Sequence, residues 1–434
     1  MSGLIDMALT AGAGRLWMAG GVAAAFAGVC VASLAGRAKT AGGGAAWLVL
    51  YASQTGQAEE IALKTAARLS AGGRDAVARA LGRVGASDLR AAERILCVVS
   101  STGDGEAPDN GRAFETQVMS RGVDLNGKSF AVLALGDRNY TRFCAFGHRV
   151  FDWFQANGAG AMTPCLEADD LDPVVLADWD ARLTHWGAGA SEASAAVPRW
   201  KLVERKRLNP DGTGPIYRIA FVPENTRLAW QAGDLAEIET MDGHRRDYSI
   251  ASLPSEGRLD VLVREVRTAD GYGKGSGLLI HGLEVGAMIA LRVKTHEGFH
   301  TPEGNGPVLL VAAGSGLAGL RPHILEAVAA GRRVRVVYGE RHPVHDAGLC
   351  EELVRWRDAG KIALDLAFSQ GTERRYVQDR IGVEVAGWLG EGGAVVVCGG
   401  LDMGKGVEAA LRGAAGDVWV DRAFAEGRYR RDLY

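Results

Sequence analysis

The sequence predicts a multidomain α/β protein in which a doubly wound domain is followed by an antiparallel β-barrel and then by a second doubly wound domain. Short apolar runs alternate with segments of helical spacing from Trp47 onward, which is typical of a parallel sheet covered by helices. From Trp200 the apolar residues recur at every second position, which indicates antiparallel strands. Strand and helix patterns alternate again from Val308.

Length and composition limit the number of domains and the kinds of function. A chain of 434 residues with 47% hydrophobic residues is long enough for about two to four domains, each with its own core. The formal charge of -3 gives no bias toward nucleic acid. The six cysteines are scattered, without a C-x-x-C pair or a His/Cys cluster at metal spacing. We therefore expect reduced thiols in a cytosol and no metal site.

The N-terminal segment contains a candidate membrane span. Residues 16–36 carry no charge and, as a helix, would be long enough to cross the hydrocarbon core of a bilayer. Ala and Gly make up much of this segment, so a cleaved secretory signal and an unstructured leader are open alternatives. Arg37 and Lys39 follow the segment, which by the positive-inside tendency places the rest of the chain in the cytoplasm. We predict a single-pass anchor at residues 1–42 in the cytoplasmic membrane.

Three predicted strands of the first domain, at 47–51, 95–99 and 130–135, each end in a loop that contains hydroxyl or glycine residues. A helix predicted over 59–69 follows the first of these loops. Ligands bind beyond the C-terminal ends of the strands in doubly wound sheets, so we expect the three loops to form one site. They supply the candidate ligands Ser53, Gln54, Thr55, Gly56, Gln57, Ala58, Ser101, Thr102, Gly103, Gly105, Leu135, Gly136, Asp137, Asn139, Tyr140, Phe143 and Cys144.

The chemistry of these loops favours a ligand with a phosphate and a flat ring. The first loop offers hydroxyls and backbone N–H groups at a helix N-terminus, where the partial positive charge suits a phosphate. It lacks the lysine of a Walker loop. Glycines in the other two loops let the backbone approach a ring, on which Tyr140 can stack.

The three loops resemble those of the flavodoxin-like FMN domain of diflavin reductases, the family of the sulfite reductase flavoprotein subunit and the NADPH–hemoprotein reductases. The resemblance rests on S-Q-T-G at 53–56, S-S-T-G-D-G-E-A-P at 100–108 and L-G-D-R-N-Y-T-R-F-C at 135–144. It implies that FMN binds to a domain spanning 45–187. Hemoprotein reductases place an aromatic residue at the position of Thr102, so Tyr140 is left as the main ring contact.

A stretch of small and polar residues at 187–197 predicts a linker over 188–199, followed by a barrel over 200–302. Two motifs in this barrel, R-D-Y-S at 246–249 and G-x-x-S-x-x-L at 273–279, together resemble the FAD-binding barrel of ferredoxin–NADP reductase-like modules. Arg246 can hold a pyrophosphate, Tyr248 can pack on the flavin and the Ser249 hydroxyl can reach flavin N5. The FAD ligands are then Arg246, Asp247, Tyr248, Ser249, Gly273, Gly275 and Ser276.

The third domain, predicted over 303–434, resembles the NADP-binding domain of the same family. Gly314, Ser315 and Gly316 follow a predicted strand at 308–311, so a dinucleotide pyrophosphate can lie at the next helix N-terminus. The family grips the 2′-phosphate of NADP with Ser-Arg, a further basic residue and a Tyr. Here Gln370 replaces one expected cation, and NADPH is favoured over NADH through Ser369, Arg374, Arg375, Tyr376 and Gln378.

The C-terminal sequence R-Y-R-R-D-L-Y at 428–434 resembles the terminus of the sulfite reductase flavoprotein. The resemblance implies that Tyr434 covers the face of FAD until nicotinamide displaces it. It also implies that Ser249, Cys398 and Asp432 surround the path of the hydride and are the catalytic residues. The barrel is too short for the helical connecting domain that family members insert, so electron transfer between the flavins is expected to depend on domain motion or on a partner.

The sequence is therefore interpreted as a membrane-anchored NADPH diflavin reductase with FMN, FAD and NADPH as cofactors. Electrons pass from NADPH to FAD, to FMN and to a one-electron acceptor, which is expected to be a haem protein. One alternative is the flavoprotein component of sulfite reductase. A second, from another class, is a non-enzymatic flavin-binding scaffold, and a ferric or quinone reductase role is also open.

Overall fold

The structure, a computed structural model, describes residues 46–434 apart from 104, 139–140, 191–196, 210–213, 241–242, 244, 269–270 and 371–372. Three main sheets follow one another along this part of the chain. The first and third are parallel, and the second is antiparallel. A multidomain α/β architecture is thereby confirmed.

The first sheet has the strand order β2-β1-β3-β4-β5, with β6 also paired to β4. All of these pairings are parallel. From β1 the chain first adds β2 on one side of the sheet and then adds β3 and the later strands on the other side, so the topological switch point lies between β1 and β3. The strands are β1 (Trp47–Ala52), β2 (Ala76–Ala80), β3 (Arg94–Ser100), β4 (Ser129–Gly136), β5 (Gly160–Ala161) and β6 (Leu166–Asp169).

Helices cover both faces of the first sheet because successive strand residues are apolar on both sides. The helices are α1 (Gln57–Ala71), α2 (Ala86–Ala91), α3 (Asp109–Phe114), α4 (Ala145–Ala156) and α5 (Pro173–His185). Trp47 and Val49 pack against α1 and α5, whereas Leu48 and Leu50 belong to the core on the side of α2, α3 and α4. This arrangement buries near-continuous apolar strands, as a parallel sheet requires.

The second sheet contains six antiparallel strands in the order β10-β9-β14-β7-β8-β11. A bridge between Ile250, which follows β10, and Val261 of β11 joins the two ends of this order, so the sheet closes into a barrel. Its core includes Trp200, Phe221 and Leu291. The strands are β7 (Arg199–Arg207), β8 (Ile216–Pro223), β9 (Leu235–Glu239), β10 (Arg245–Ser249), β11 (Leu259–Arg264) and β14 (Met288–Lys294).

A small hairpin and a short helix stand between β11 and β14. The hairpin pairs β12 (Arg267–Thr268) with β13 (Gly271–Tyr272), and the helix is α6 (Lys274–Gly277). The predicted strands 259–263 and 288–293 agree with β11 and β14 to within one residue.

The third sheet is parallel, with the order β17-β16-β15-β18-β19. Helices again lie on both faces, and each face has its own buried apolar cluster. The strands are β15 (Val308–Ala313), β16 (Val334–Glu340), β17 (Ala363–Phe368), β18 (Ala394–Gly399) and β19 (Tyr429–Leu433). The helices are α7 (Leu317–Ala329), α8 (Ala347–Asp358), α9 (Val383–Leu389), α10 (Leu401–Ala415) and α11 (Asp417–Ala425).

The predicted localisation as a single-pass membrane protein needs correction. Within the part of the chain that the structure describes, no helix is long and apolar enough to cross a membrane. The longest α-helices there, α1 and α10, have 15 residues each and carry charged side chains, whereas a span needs about 20 mostly apolar residues. The predicted span at 16–36, within the proposed anchor 1–42, lies outside the described residues.

Candidate functional site

The loops at the carboxyl ends of β1, β3 and β4 come together, as predicted, at one edge of the first sheet. Ser53 lies at the start of this edge, where its Oγ accepts a hydrogen bond from the Ala58 amide in the first turn of α1 at 3.1 Å. Ser101 has a similar place at α4, where its Oγ accepts from the Phe146 amide at 3.0 Å. Both hydroxyls therefore cap helices, and two helix N-termini point at the same edge.

A cavity of about 370 Å³ lies between these loops, which is within the usual range for small-molecule sites. The predicted residues that line it are Gln54, Thr55, Gln57, Ser101, Thr102, Gly103, Leu135, Gly136, Asp137, Phe143 and Cys144. Ser53, Gly56, Ala58 and Gly105 lie beside the cavity without lining it. Asn139 and Tyr140 are outside the described residues, so the stacking role of Tyr140 stays a prediction.

Glycine is required where the loops approach other backbone or side chains. Gly103 has φ +51, and a Cβ built there would lie 2.3 Å from Leu401 at the start of α10. A Cβ on Gly136 would lie 2.9 Å from the Cys144 sulfur. These two glycines therefore let the cavity loops pack closely on Leu401 and Cys144, while the helix N-termini at this edge suit a phosphate.

Cys144 has a structural rather than a nucleophilic role at this cavity. Its backbone is left-handed, with φ +52, and its thiol donates a hydrogen bond to the Ala134 carbonyl at 3.4 Å. Burial, reinforced by the charge of Glu167, raises the pKa of the Cys144 thiol to about 12, so the reactive thiolate is not populated at neutral pH.

The barrel brings its two predicted motifs into contact. A Cβ on Gly275, in α6, would lie 2.5 Å from the Tyr248 hydroxyl and 3.0 Å from Arg246 Cγ. Ser276 Oγ accepts a hydrogen bond from the Val266 amide at 3.2 Å, and Gly273 immediately precedes the helix. The segment that contains Gly273, Gly275 and Ser276 therefore packs against β10, the strand that carries the R-D-Y-S motif.

Two residues of the R-D-Y-S motif have partners that the sequence did not indicate. Nη1 of Arg246 lies 3.1 Å from both carboxylate oxygens of Asp170, which follows β6 in the first sheet. Asp247 accepts from Lys294 Nζ at 2.8 Å, and burial raises the pKa of this carboxyl above its usual value despite the lysine. Asp247 thus belongs to a buried ion pair of the barrel.

Ser249, Cys398 and Asp432 converge, although they come from three different strands. The Asp432 carboxylate accepts hydrogen bonds from Ser249 Oγ at 3.2 Å and from the Cys398 sulfur at 3.9 Å. Burial and the neighbouring Asp432 charge raise the pKa of the Cys398 thiol well above its usual value. The sulfur is therefore protonated, which agrees with a packing and orienting role.

Tyr434 lies between this cluster and the cavity of the first domain. Its hydroxyl is 3.1 Å from Ser315 Oγ, and its amide donates to the Gly399 carbonyl at 3.2 Å. The side chain is 56% exposed, and it lines the 370 Å³ cavity together with Leu401 and Leu433. Tyr434 therefore lines the cavity predicted to bind FMN and also contacts the loop beside Ser249, Cys398 and Asp432.

A second cavity, of about 410 Å³, lies at the carboxyl edge of the third sheet. Of the predicted nucleotide ligands, Gly314, Ser369, Arg375, Tyr376 and Gln378 line it. Arg374, Ser315 and Gly316 do not, and a Cβ on Gly316 would lie 2.2 Å from the Cys398 carbonyl oxygen. Gly316 is therefore needed for close packing of the loop on β18.

Two arginines that line this cavity had no ligand role in the sequence analysis. Arg264 reaches it from β11 of the barrel, and a Cβ on Gly314 would lie 2.5 Å from Arg264 Nη2. Arg341 directly follows β16. A basic residue just after a parallel strand is a signal that could have identified Arg341, whereas nothing local indicates Arg264. With Arg375 these residues give the cavity three cations against Glu340 and Asp402, which fits a ligand with several phosphates.

A family model described as flavodoxin matches residues 49–182, and the flavodoxin-like fold predicted for the first sheet is thereby confirmed. The chain is also similar to the following three proteins, to two of them over most of its length. The sulfite reductase [NADPH] flavoprotein alpha-component of Thiocapsa roseopersicina is 26% identical over 84% of this chain and 82% of its own. The corresponding protein of Bacillus subtilis is 23% identical over 81% of each chain. The bifunctional cytochrome P450/NADPH–P450 reductase of Fusarium oxysporum is 32% identical over 38% of this chain and 17% of its own.

Proposed function

We propose that the chain is an NADPH-dependent diflavin reductase that passes electrons from NADPH through FAD and FMN to a one-electron acceptor. One observation carries the proposal: Tyr434 borders the cavity of the flavodoxin domain and also contacts the loop beside Ser249, Cys398 and Asp432. The similarity to NADPH-dependent flavoproteins over more than four fifths of the chain supports the same cofactors. When bound, FAD accepts electrons in pairs from NADPH and FMN releases them singly.

The residues of the first cavity have roles that suit FMN. The α1 N-terminus beside Ser53 and Thr55 receives the phosphate, because the amides at a helix start attract anions. Gly103 and Gly136 let their loops pack closely on Leu401 and Cys144 at the cavity, and Cys144 would face the FMN as a neutral thiol. The predicted domain limits 45–187, 200–302 and 303–434 are retained as part of the proposal.

The barrel motifs are proposed to hold FAD. Tyr248 and the start of α6, where Gly275 lies, would hold the FAD between them. Arg246 would exchange its contact with Asp170 for one with the pyrophosphate of FAD. Asp432 orients Ser249 and Cys398 by accepting hydrogen bonds from both. Cys398 stays protonated because burial raises its pKa, so it would pack beside the cofactors without reacting as a thiolate.

The second cavity is proposed to select NADPH over NADH. Arg375, Tyr376 and Ser369 form one end, where a 2′-phosphate would add a charge-assisted contact that NADH cannot make. Arg264 and Arg341 supply positive charge for the remaining phosphates. The missing cation at Gln370 is thereby compensated from other elements.

The electron acceptor is proposed to be a haem protein. The names of the relatives, a sulfite reductase component and a P450 reductase, support acceptors of this class. A role as the flavoprotein component of sulfite reductase is the second candidate, favoured by similarity over more than 80% of both chains and by the R-D-L-Y ending.

Flavin analysis and anaerobic NADPH titration test the proposal. The purified protein should contain FMN and FAD in about equal amounts, because each has its own cavity and motif set. NADPH should bleach both flavins, and the reduced protein should reduce cytochrome c. A protein that contains FAD alone, or one that NADPH does not reduce, would overturn the proposal. Coupling to a sulfite reductase hemoprotein, compared with cytochrome c, distinguishes the two acceptor roles.

A further inference from the structure

The flavodoxin domain meets the rest of the molecule at the edge where its cavity opens. Leu401 of α10, Leu433 of β19 and Tyr434 complete the cavity wall. The position of this domain therefore decides whether its ligand faces Tyr434. The contacts along this border, and not the cavity loops alone, must hold the domain in place.

Arg431 makes the most extensive of these border contacts. Its Nε lies 3.0 Å and 2.8 Å from the two carboxylate oxygens of Asp109, and Nη2 also contacts Asp109. Nη1 donates to Glu408 of α10 at 2.6 Å. Arg431 thus joins the first residue of α3, in the flavodoxin domain, to the third sheet through a fork-shaped pair.

The backbone of Arg431 adds a second link to the same domain. Gln54 Nε2, from the first cavity loop, donates to the Arg431 carbonyl at 3.3 Å. The Gln54 side-chain oxygen in turn accepts from the Asp109 amide at 3.3 Å. One residue of β19 is therefore tied to two of the three cavity loops.

Burial of its guanidinium separates Arg431 from the other cations that form ion pairs across the border. The Arg431 side chain is 5% exposed and its partner Asp109 is 25% exposed, whereas the cations of Glu60–Arg292, Asp170–Arg246, Glu106–Lys405 and Arg112–Glu408 are 30% to 43% exposed. Water and salt weaken partly exposed pairs, but loss of Asp109 leaves part of the buried Arg431 charge uncompensated. Hydrogen bonding to Asp109 outweighs burial and raises the pKa of Arg431, so the guanidinium is charged.

The position of Arg431 on β19 couples the border to the hydride site. Successive strand residues point to opposite sides, so Arg431 faces the flavodoxin domain while Asp432 faces Ser249 and Cys398. Tyr434 lies two residues further on. The short strand β19 therefore carries both Arg431, which contacts the flavodoxin domain, and Asp432, the carboxylate of the hydride site. Tyr434, which lies between the two sites, directly follows this strand.

We propose that Arg431 is a positioning residue that docks the flavodoxin domain on the C-terminal strand, so that its cavity faces Tyr434 and the Ser249–Cys398–Asp432 cluster. The consequence for electron transfer rests on the proposed function, but the docking itself does not. The pair between the buried Arg431 guanidinium and Asp109 is the contact that sets the position of the flavodoxin domain relative to β19.

The docking is tested by small-angle X-ray scattering of the flavin-loaded protein without nucleotide, at low and high salt. The wild type at low salt should have a radius of gyration close to the ~22 Å of a compact chain of this size. Arg431→Gln and Asp109→Asn should each increase it by at least about 2 Å, because the two halves separate. Arg412→Gln is the matched control, since Arg412 also pairs with Glu408 but its hydrogen bonds and ion pairs stay within α10 and α11.

Stopped-flow reduction by NADPH gives the second readout. In Arg431→Gln and Asp109→Asn the first reduction of FAD should stay within about twofold of wild type, while transfer onward to FMN slows by at least about tenfold. Asp109→Asn leaves β19 intact, so agreement between the two variants excludes a simple distortion of the strand. Unchanged scattering in both variants overturns the proposal, as does an equal slowing of both electron-transfer steps. Failure of NADPH to reduce the wild type would instead refute the proposed function and leave the scattering result valid.

Discussion

Arg374 and Arg375 are neighbours in the sequence, but only Arg375 lines the cavity at the carboxyl edge of the third sheet, which is proposed to bind NADPH. Sequence alone treats them as equivalent cations beside Tyr376. The fold separates them because the segment that contains them runs along the rim of the cavity, where adjacent side chains leave the backbone in different directions. Selectivity for a 2′-phosphate should therefore depend on one of the pair.

Arg375→Ala should reduce kcat/KM for NADPH by about tenfold and leave that for NADH nearly unchanged, since charge-assisted contacts are worth about 1.5–3 kcal/mol and Arg375 is half exposed. Steady-state kinetics with both nucleotides measure this difference. Arg374→Ala is the control and should change neither value by more than about twofold. If the two substitutions have the same effect, the cavity assignment is wrong.

Tyr434 contacts Ser315 through its hydroxyl and lies just outside β19, which ends at Leu433. Its deletion should tighten nicotinamide binding, weaken discrimination against NADH and slow turnover where product release becomes limiting. Stopped-flow reduction and the flavin absorption spectrum measure these effects. An unchanged spectrum, nucleotide affinity and NADH/NADPH ratio would place Tyr434 away from the flavin.

At the scale of single elements, the contact between α4 and β4 controls the third cavity loop. Gly147 of α4 lies so close to the sheet that a Cβ would be 2.3 Å from the Cβ of Ala134. The loop from Gly136 to Cys144, which lines the cavity, connects these two elements. Separation of the helix from the strand must therefore move the loop.

Gly147→Ala should destabilise the protein by about 1–3 kcal/mol through overpacking and should weaken retention of FMN. Gly413→Ala in α10 is the control, because Gly413 has open space around it and alanine is the better helix former by up to about 1 kcal/mol. Denaturant unfolding and flavin content after gel filtration measure both effects. Equal stability changes in the two variants would contradict the close packing of α4 on β4.

At the scale of the whole molecule, the border between the flavodoxin domain and the barrel contains a carboxylate, Glu60, that is held by an arginine of the barrel. Glu60 of α1 accepts two hydrogen bonds of 2.9 Å from Arg292 of β14. Burial alone would raise the pKa of the Glu60 carboxyl, but hydrogen bonds from Arg292 and Lys64 outweigh it and lower the pKa to about 2. In the separated state Arg292 is lost while Lys64 stays beside Glu60 in α1, so this pKa rises part of the way toward its usual value of about 4.3.

The lowered pKa of Glu60 means that its contribution to docking is present above about pH 4.3 and is lost as the pH falls toward 2. Scattering between about pH 6 and pH 3 should therefore show an acid-induced increase in radius of gyration. Glu60→Gln should reduce this pH dependence, while Glu384→Gln, at an exposed site in α9, should leave it unchanged. An identical profile for Glu60→Gln and wild type would show that Glu60 does not contribute.

The sequence by itself determined the positions of several parallel strands and of the loops at their carboxyl ends. The strands predicted at 47–51, 130–135 and 308–311 lie within β1, β4 and β15, because hydrophobic periodicity is a local property of the chain. The loops after β1, β3 and β4 share one cavity because the carboxyl ends of parallel strands meet at one edge. The terminal strand β19 was not predicted, since R-R-D has no apolar pattern and forms a strand only by pairing with β18.

Only the tertiary structure decided which charged residues meet. Arg431 and Asp109 are 322 positions apart, Arg246 pairs with Asp170 across two domains, and Arg264 reaches the cavity of the third sheet from the barrel. A charged side chain has no periodicity that reveals its partner, and many arginines in this chain are chemically equivalent before folding. Their roles follow from how the three sheets pack against one another, because packing alone determines which charges are brought together and removed from water.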